Sequence, residues 1–286
     1  MSLSSRSLDA FLAVAREKSF STAAKTLHLT QSALSQRVLN LESELGTALF
    51  IREPSGLVLT ALGEKLLRYC QSKEILELEF LAELKAGGSQ QLSGLLRIAG
   101  FSSLTRSVLV PVLGELIQKH PNVQIDLMND ELRELPGYLI SNKADFVFMM
   151  KPFERQGVES HVVGVEENVM IESVSRHARK DVYLDHDVHD TTTFDFFSLQ
   201  GKKIPPFRRA YLDEIDTLVE GVRHGLGRAI VPIHIARAVK GVQIVEGYKS
   251  LKMPIYLCHY TQPFYPRLYE VTIDLFLEQI KGRLSG

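Results

Sequence analysis

The chain has 286 residues, 45% apolar and 23% charged, and its 33 Lys and Arg against 34 Asp and Glu leave a formal net charge of −1. That size suits two or three compact units of an ordinary globular protein. No apolar run approaches the roughly 18 residues of a membrane span, and the opening MSLSSRSLDAF lacks the apolar core of a secretory signal.

The first 60 residues carry six cations, including Arg37 and Arg52, against five anions. A weakly basic unit can still hold DNA if its cations meet phosphates and two copies act together. Leu8, Phe11, Leu12 and Ala15 recur at helical spacing, which predicts an amphipathic helix over 7–18. Ser19 or Ser21 caps a second helix with Ala23, Ala24 and Leu27 inward, and His28 and Leu29 make a tight turn. Thr30 is the expected N-cap of a third helix, whose stripe Leu34, Val38, Leu41 and Leu45 faces the core and which Gly46 ends. Its other face opens with Gln31, Ser32, Ser35, Gln36 and Arg37. Gln can pair bidentately with adenine, and Arg with guanine or a phosphate. Taken alone, that face fits a solvated surface better than a base-reading one. A compact hairpin carrying Arg52 follows, completing a winged helix-turn-helix in which Arg52 sits against the DNA backbone.

The pattern from Leu8 to Gly63 resembles the LysR-type transcriptional regulators. Ala23, Ala24, Leu27, Gln31, Ser35, Leu41, Glu42, Leu45, Gly46, Leu49, Phe50, Arg52, Leu59, Thr60 and Gly63 fall where that family carries those residues. The resemblance implies a winged helix-turn-helix DNA-binding domain (1–60), a linker and dimerisation helix with hinge (61–90), and a regulatory domain (91–286). It further implies a two-subdomain fold like the periplasmic binding proteins, with subdomain I over 91–151 and 262–286 and subdomain II over 152–261.

From Thr60 to Lys85 the spacing predicts one long helix. Its stripe is Leu62, Leu66, Tyr69, Leu76, Phe80 and Leu84. Either a second copy or the chain's own body covers that stripe. AGGSQQLSG, over 86–94, reads as a hinge-like linker.

Strand and helix then alternate, which implies a parallel sheet with helices on both faces. Strands are expected at 96–99, 123–127, 145–150, 168–174, 194–199, 229–231 and 255–260. Helices are expected around 109–117, 135–139, 216–223 and 266–281. The segments VLVPVLGELIQKHPNVQIDL, LISNKADFVFMM and LVEGVRHGLGRAIVP also resemble LysR-family segments. Ligands of open parallel sheets bind beyond the strands' carboxyl ends. The candidate effector residues are therefore Ser102 and Ser103, Asn129 and Asp130, Met150 and Lys151, with Phe197 and Ser198 opposite. Hydroxyls and free helix N–H groups at Ser102-Ser103 suit a carboxylate, although simple capping explains the serines equally.

Other constellations are weaker. His186-Asp187-Val188-His189-Asp190 fits a solvated loop better than a metal site. Gly221 to Gly227 is no dinucleotide fingerprint, because its glycines do not follow a strand. Cys70 and Cys258 are expected to be inert buried thiols in a reducing cytoplasm, with a sensor disulfide as the alternative. No enzyme chemistry, cofactor or metal is expected. The reading is a ligand-responsive regulator with an organic-anion effector. The alternative is a small-molecule-binding or enzymatic α/β domain with an accessory helix-turn-helix. The resemblance implies double-stranded DNA, a small effector, further copies up to a homotetramer and RNA polymerase as partners.

Overall fold

The computed structural model describes residues 3–54, 56–86, 92–174, 179–201, 206–262 and 265–284; side chains at 75, 78, 79 and 82–86 lie outside that description. The chain divides into two compact units, Met1–Gln90 and Gln91–Gly286.

In the first unit, α1 (Ser5–Glu17), α2 (Phe20–Thr26) and α3 (Gln31–Leu45) precede the hairpin β1 (Phe50–Glu53) and β2 (Gly56–Leu59), then α4 (Ala61–Ala86). Ser19 is the cap of α2, its hydroxyl accepting from the Thr22 amide at 3.3 Å. Two apolar clusters hold the helices. Ala10, Val14, Ala23, Ala24, Leu34 and Val38 pack the three-helix core. Leu8, Phe11, Leu41, Leu49, Leu66, Leu67 and Cys70 join that core to the start of α4.

The second unit is built on a nine-stranded sheet ordered β4-β3-β5-β11-β6-β9-β7-β8, with β10 (Val242–Ile244) paired to β6. One half comprises β3 (Ser93–Gly100), β4 (Asn122–Asn129) and β5 (Phe146–Met149), all parallel. The other half comprises β7 (Val182–Asp185), β8 (Arg208–Tyr211) and β9 (Arg228–Pro232), again parallel. Two antiparallel strands, β6 (Val158–Ser173) and β11 (Leu251–Tyr260), run through both halves. The 16 residues of β6 span about 50 Å at the usual strand rise. A bulge between Ile255 and Tyr256 places Val163 as an extra residue in β6, and such bulges bend a strand. At that bend Gly164 lets α11 (Arg267–Leu284) come close. A Cβ there would lie 2.5 Å from a Leu284 methyl.

The helices of this unit are a continuous run over 102–119, then α7 (Leu135–Ile140), α8 (Thr192–Leu199), α9 (Ile215–Arg223), α10 (Ile233–Ala238) and α11. The run begins as α5 (Ser102–Leu104), passes through a π-helical turn at Thr105–Leu109, and continues as α6 (Val110–Lys119).

One predicted element is corrected. Residues 194–199 form helix α8 rather than a strand. Their aromatic content favours a strand, but Thr193, Phe196 and Phe197 are buried at helical spacing while Phe194 is exposed. The Thr191 hydroxyl donates to Asp195 at 2.7 Å, which orders the first turn. The neighbouring strands β7 and β8 were not anticipated. Residues 87–91 of the expected linker, and 175–178 and 202–205 beside α8, lie outside the described residues.

Both cysteines are buried free thiols. Burial pushes Cys70 up from 9.0 to about 11 and raises Cys258 as well. The thiolate is the reactive form, so native protein at pH 8 is expected to resist Ellman's reagent and to release two equivalents in urea. Because the unfolded Cys70 ionises first, its contribution favours the folded state less as pH rises from 9 towards 11. Rapid labelling of native protein would show these sites to be open.

Candidate DNA-reading surface and effector cleft

The Thr30 hydroxyl accepts from the Ala33 amide at 3.2 Å and lies 3.1 Å from the Ser32 hydroxyl. Thr30 therefore caps α3, and the free end of the helix is turned to solvent with Gln31, Ser32 and Gln36 exposed. Ser35 and Arg37 are half-buried on its flanks. Gln36 Nε2 donates to Asn40 Oδ1 at 2.9 Å, holding the two amides together. Asn40 and Leu39, the latter 55% exposed, belong to the same face. Both lie one turn beyond the residues expected to read bases, although the spacing from Ser35 and Gln36 points to them. Arg52 is exposed on β1, paired in register with Leu57.

The wing is tied to α3 and α4 by three residues. Glu42 Oε1 accepts from the Leu49 and Phe50 amides at 2.7 and 3.3 Å. The Thr60 hydroxyl donates to the Ala48 carbonyl at 2.9 Å and accepts from the Gly63 amide at 3.0 Å, capping α4. A Cβ on Gly63 would stand 2.2 Å from the Leu49 carbonyl oxygen, so only glycine fits there.

Along α4 the apolar stripe splits in two. Leu66 is buried with Leu67 and Cys70 in the unit's own core, so it does not belong to an outward seam. Leu62, Tyr69, Leu76 and Phe80 are exposed at 39, 52, 44 and 60%. They recur at spacings of seven, seven and four, the period of a helix-helix seam. Leu84 has its side chain outside the described residues.

In the second unit, the carboxyl ends of β3, β4 and β5 bring six predicted residues together. Gly100 and Asn129 are register partners, and the Asp130 amide donates to the Gly100 carbonyl at 3.2 Å. Ser102 and Ser103 open the helix. The extended Phe101 leaves the amides of 102, 103 and 104 unpaired by the helix. Among the described residues neither serine hydroxyl bonds within the chain. Thr105 Oγ1 donates to Asn129 Oδ1 and fixes that amide. Asp130 is half-buried and accepts from the Tyr138 hydroxyl at 2.8 Å, while Lys151 is exposed beside Met150. Phe197 and Ser198 lie elsewhere. Phe197 is buried against Tyr183 and Phe207, at the amino ends of β7 and β8, and Ser198 is exposed beside it.

The carboxyl ends of β7 and β8 face these residues. Arg133 meets Asp187 at 3.5 Å, Arg106 pairs with Asp216, and Ser107 Oγ lies 3.0 Å from His234 Nδ1. His234 Nε2 is 3.2 Å from the buried Glu166 on β6. These contacts join the two halves across the cleft. Burial raises the Glu131 carboxyl, with Asp213 and Asp187 adding to the effect and His186 and Arg133 opposing it. His186 Nδ1 is 2.5 Å from the Asp213 carbonyl. Asp187 Oδ1 accepts from the His189 and Asp190 amides. The His186–Asp190 stretch is thus a self-bonded turn on the cleft's acidic wall.

The chain thus combines a winged helix-turn-helix with a bent two-part α/β unit. Residues 5–64 match the bacterial regulatory helix-turn-helix protein, lysR family, and residues 89–281 match the LysR substrate binding domain. The chain belongs to the LysR family. Like its relatives it is a transcriptional regulator and not an enzyme. The family binds DNA and small-molecule effectors and oligomerises. This LysR-type chain is 28% identical over 239 residues to the HTH-type transcriptional regulator YofA of Bacillus subtilis, covering 80% of this chain and 81% of YofA. It is 34% identical over 164 residues to ShiR of Corynebacterium glutamicum, covering 57% and 55%. Its fold superposes on ArgP from Mycobacterium tuberculosis with a TM-score of 0.77 at 22% identity, covering 100% and 98% of the two chains. Full-length LysG from Corynebacterium glutamicum, with bound effector Arg, gives 0.74 at 20% identity, covering 98% and 100%. No described helix of this LysR-type chain is long and apolar enough to cross a membrane.

Proposed function

We propose that this chain is a cytoplasmic, ligand-responsive regulator that reads promoter DNA through α3 and the wing. Thr30, Gln31, Ser32, Ser35, Gln36 and Arg37 face the major groove and Arg52 faces a phosphate. Two chains pair through Leu62, Tyr69, Leu76 and Phe80 on α4, and pairs associate into a tetramer that presents DNA to RNA polymerase. The regulatory unit, periplasmic-binding-protein-like, has subdomain I over 91–151 and 262–286 and subdomain II over 152–261. The observation that supports an effector there is the cleft between two sets of strand carboxyl ends. Ser102, Ser103 and the unpaired amides of the first helical turn seat a carboxylate, beside Asn129, Asp130, Met150 and Lys151.

The acidic wall of Glu131, Asp187 and Asp213 favours a second feature, a cationic group on the same ligand. A small organic anion that also carries an amine satisfies both walls; that LysG holds Arg as effector is consistent. The test is calorimetry with dicarboxylates and amino acids on wild type and Ser102→Ala/Ser103→Ala. The double variant is expected to lose about 10-fold to 100-fold in affinity for whichever compound binds wild type, from two lost hydrogen bonds. Equal affinities would remove this turn from the site. Preference for plain dicarboxylates would remove the role of the acidic wall.

A further inference from the structure

One group of side chains outside both sites carries chemistry of its own. Glu159 and His161 lie two residues apart on β6, so they share a face, and His259 on β11 is the register partner of Glu159. His161 Nε2 lies 3.1 Å from Glu159 Oε2, and His259 Nε2 lies 4.0 Å from the same oxygen. The rings stack 5.4 Å apart at 17°. One donor atom from each residue falls within 4.8 Å of the others, and among the described residues no other trio of His, Cys, Asp or Glu does so.

His259 is the informative member. It is 3% exposed, backed edge-on by Phe146 and Tyr265. Its Nδ1 lies 3.2 Å from the Tyr260 carbonyl, which can only accept and so favours a proton on Nδ1, with the Tyr265 hydroxyl 3.5 Å from the same nitrogen. In that tautomer Nε2 is a bare lone pair. It is buried and faces Glu159, and among the described residues it has no hydrogen-bond partner. A buried acceptor left unbonded costs stability. Donation from Nδ1 to a carbonyl is the usual support of a metal-bound histidine.

We propose that Glu159, His161 and His259 bind a divalent transition-metal ion, with Zn2+ as the occupant. A tetrahedral ion with bonds of about 2.0–2.1 Å separates its ligands by roughly 3.3 Å. The Glu159–His161 separation already suits that spacing, the Glu159–His259 contact needs to shorten by under 1 Å, and no pair of donor atoms has to close by more than about 1.5 Å. Three protein ligands leave one position to water, at the half-exposed mouth formed by Glu159 and His161. Such a site exchanges its ion rather than holding a fold together. It lies at the amino end of β5, since Cys258 pairs with Val147 and Tyr256 with Met149. The effector residues gather at the opposite, carboxyl end, so an ion here and a ligand in the cleft do not compete. The ion would cross-link β6 and β11, the two strands common to both halves of the sheet.

The experiment uses the full chain without an affinity tag, stripped with EDTA and titrated with Co2+ and then Zn2+. Wild type is expected to develop a visible d–d absorption at one equivalent of Co2+, which Zn2+ bleaches. His161→Ala and Glu159→Gln alter half-exposed ligands and should fold, as a thermal melt will show. Each is expected to weaken Zn2+ binding by about 100-fold. No saturable Co2+ or Zn2+ binding by wild type would overturn the site. Unchanged affinity in a folded His161→Ala would overturn it too.

Discussion

Replacing Tyr69, Leu76 and Phe80 together with Glu is expected to convert the protein from dimer-based assemblies to monomers. All three are exposed on α4, while the cores that fold the first unit lie on its other side and use Leu66, Leu67 and Cys70. Three carboxylates in a helix-helix seam would have to be buried without partners, which far exceeds what a seam of this length returns. The variant should keep its thermal melt and lose half its mass or more by light scattering. Its affinity for a two-half-site operator should fall by about 10²–10⁴, because the second half-site is no longer reached at high effective concentration. A mass equal to wild type would assign the exposed stripe to some other contact. Leu66 is unsuitable for this test, since a charge there would damage the unit's own core.

Truncations on the recognition helix and on the wing should separate two kinds of DNA contact. Gln31→Ala and Arg37→Ala are expected to lose about 1–3 kcal/mol at one base position of each half-site, with other positions unaffected. Arg52→Ala should instead weaken binding to all sequences alike and reduce the salt slope by about one. The exposed Gln36–Asn40 pair adds a further expectation. With Asn40→Ala the Gln36 amide loses its 2.9 Å partner, so preference should relax where Gln36 reads. Footprints on the chain's own upstream DNA, at several salt concentrations, decide among these outcomes. Variants that match wild type in strength and preference would move the reading surface away from α3.

In the DNA-binding unit nearly every role was legible in the chain. Thr30 as cap, the stripe Leu34 to Leu45 and the Gly46 terminator follow from local rules of helix geometry and capping. Local rules act over one or two turns, and this unit is assembled from short elements with short connections. Gly63 shows where they end. A glycine inside a helix costs stability by local rules, but the structure makes this one necessary, because α4 starts against the Leu49 carbonyl. That constraint comes from a residue 14 positions away and leaves no local signature.

In the regulatory unit the alternation of strands and helices determined the class of fold and located the carboxyl ends of β3, β4 and β5. Ser102, Asn129 and Lys151, the residues proposed to hold an effector, sit at those ends. The second half of the sheet was not legible in the same way. Aromatic residues at 194–199 suit a strand until Asp185, Phe207 and Tyr248 are packed around them, and then helical burial prevails. With 194–199 expected as a strand, Phe197 and Ser198 were placed at a strand end, whereas Phe197 packs on Tyr183 and Phe207 at the amino ends of β7 and β8. Pairings between distant strands decide the remainder. Leu66 faces inward and Phe80 outward because of what α1 and α3 place against α4. Glu159 and His259 meet because β6 and β11 run antiparallel through 100 residues of intervening chain. Patterns of three to seven residues specify elements and their faces, and only tertiary packing decides which faces meet.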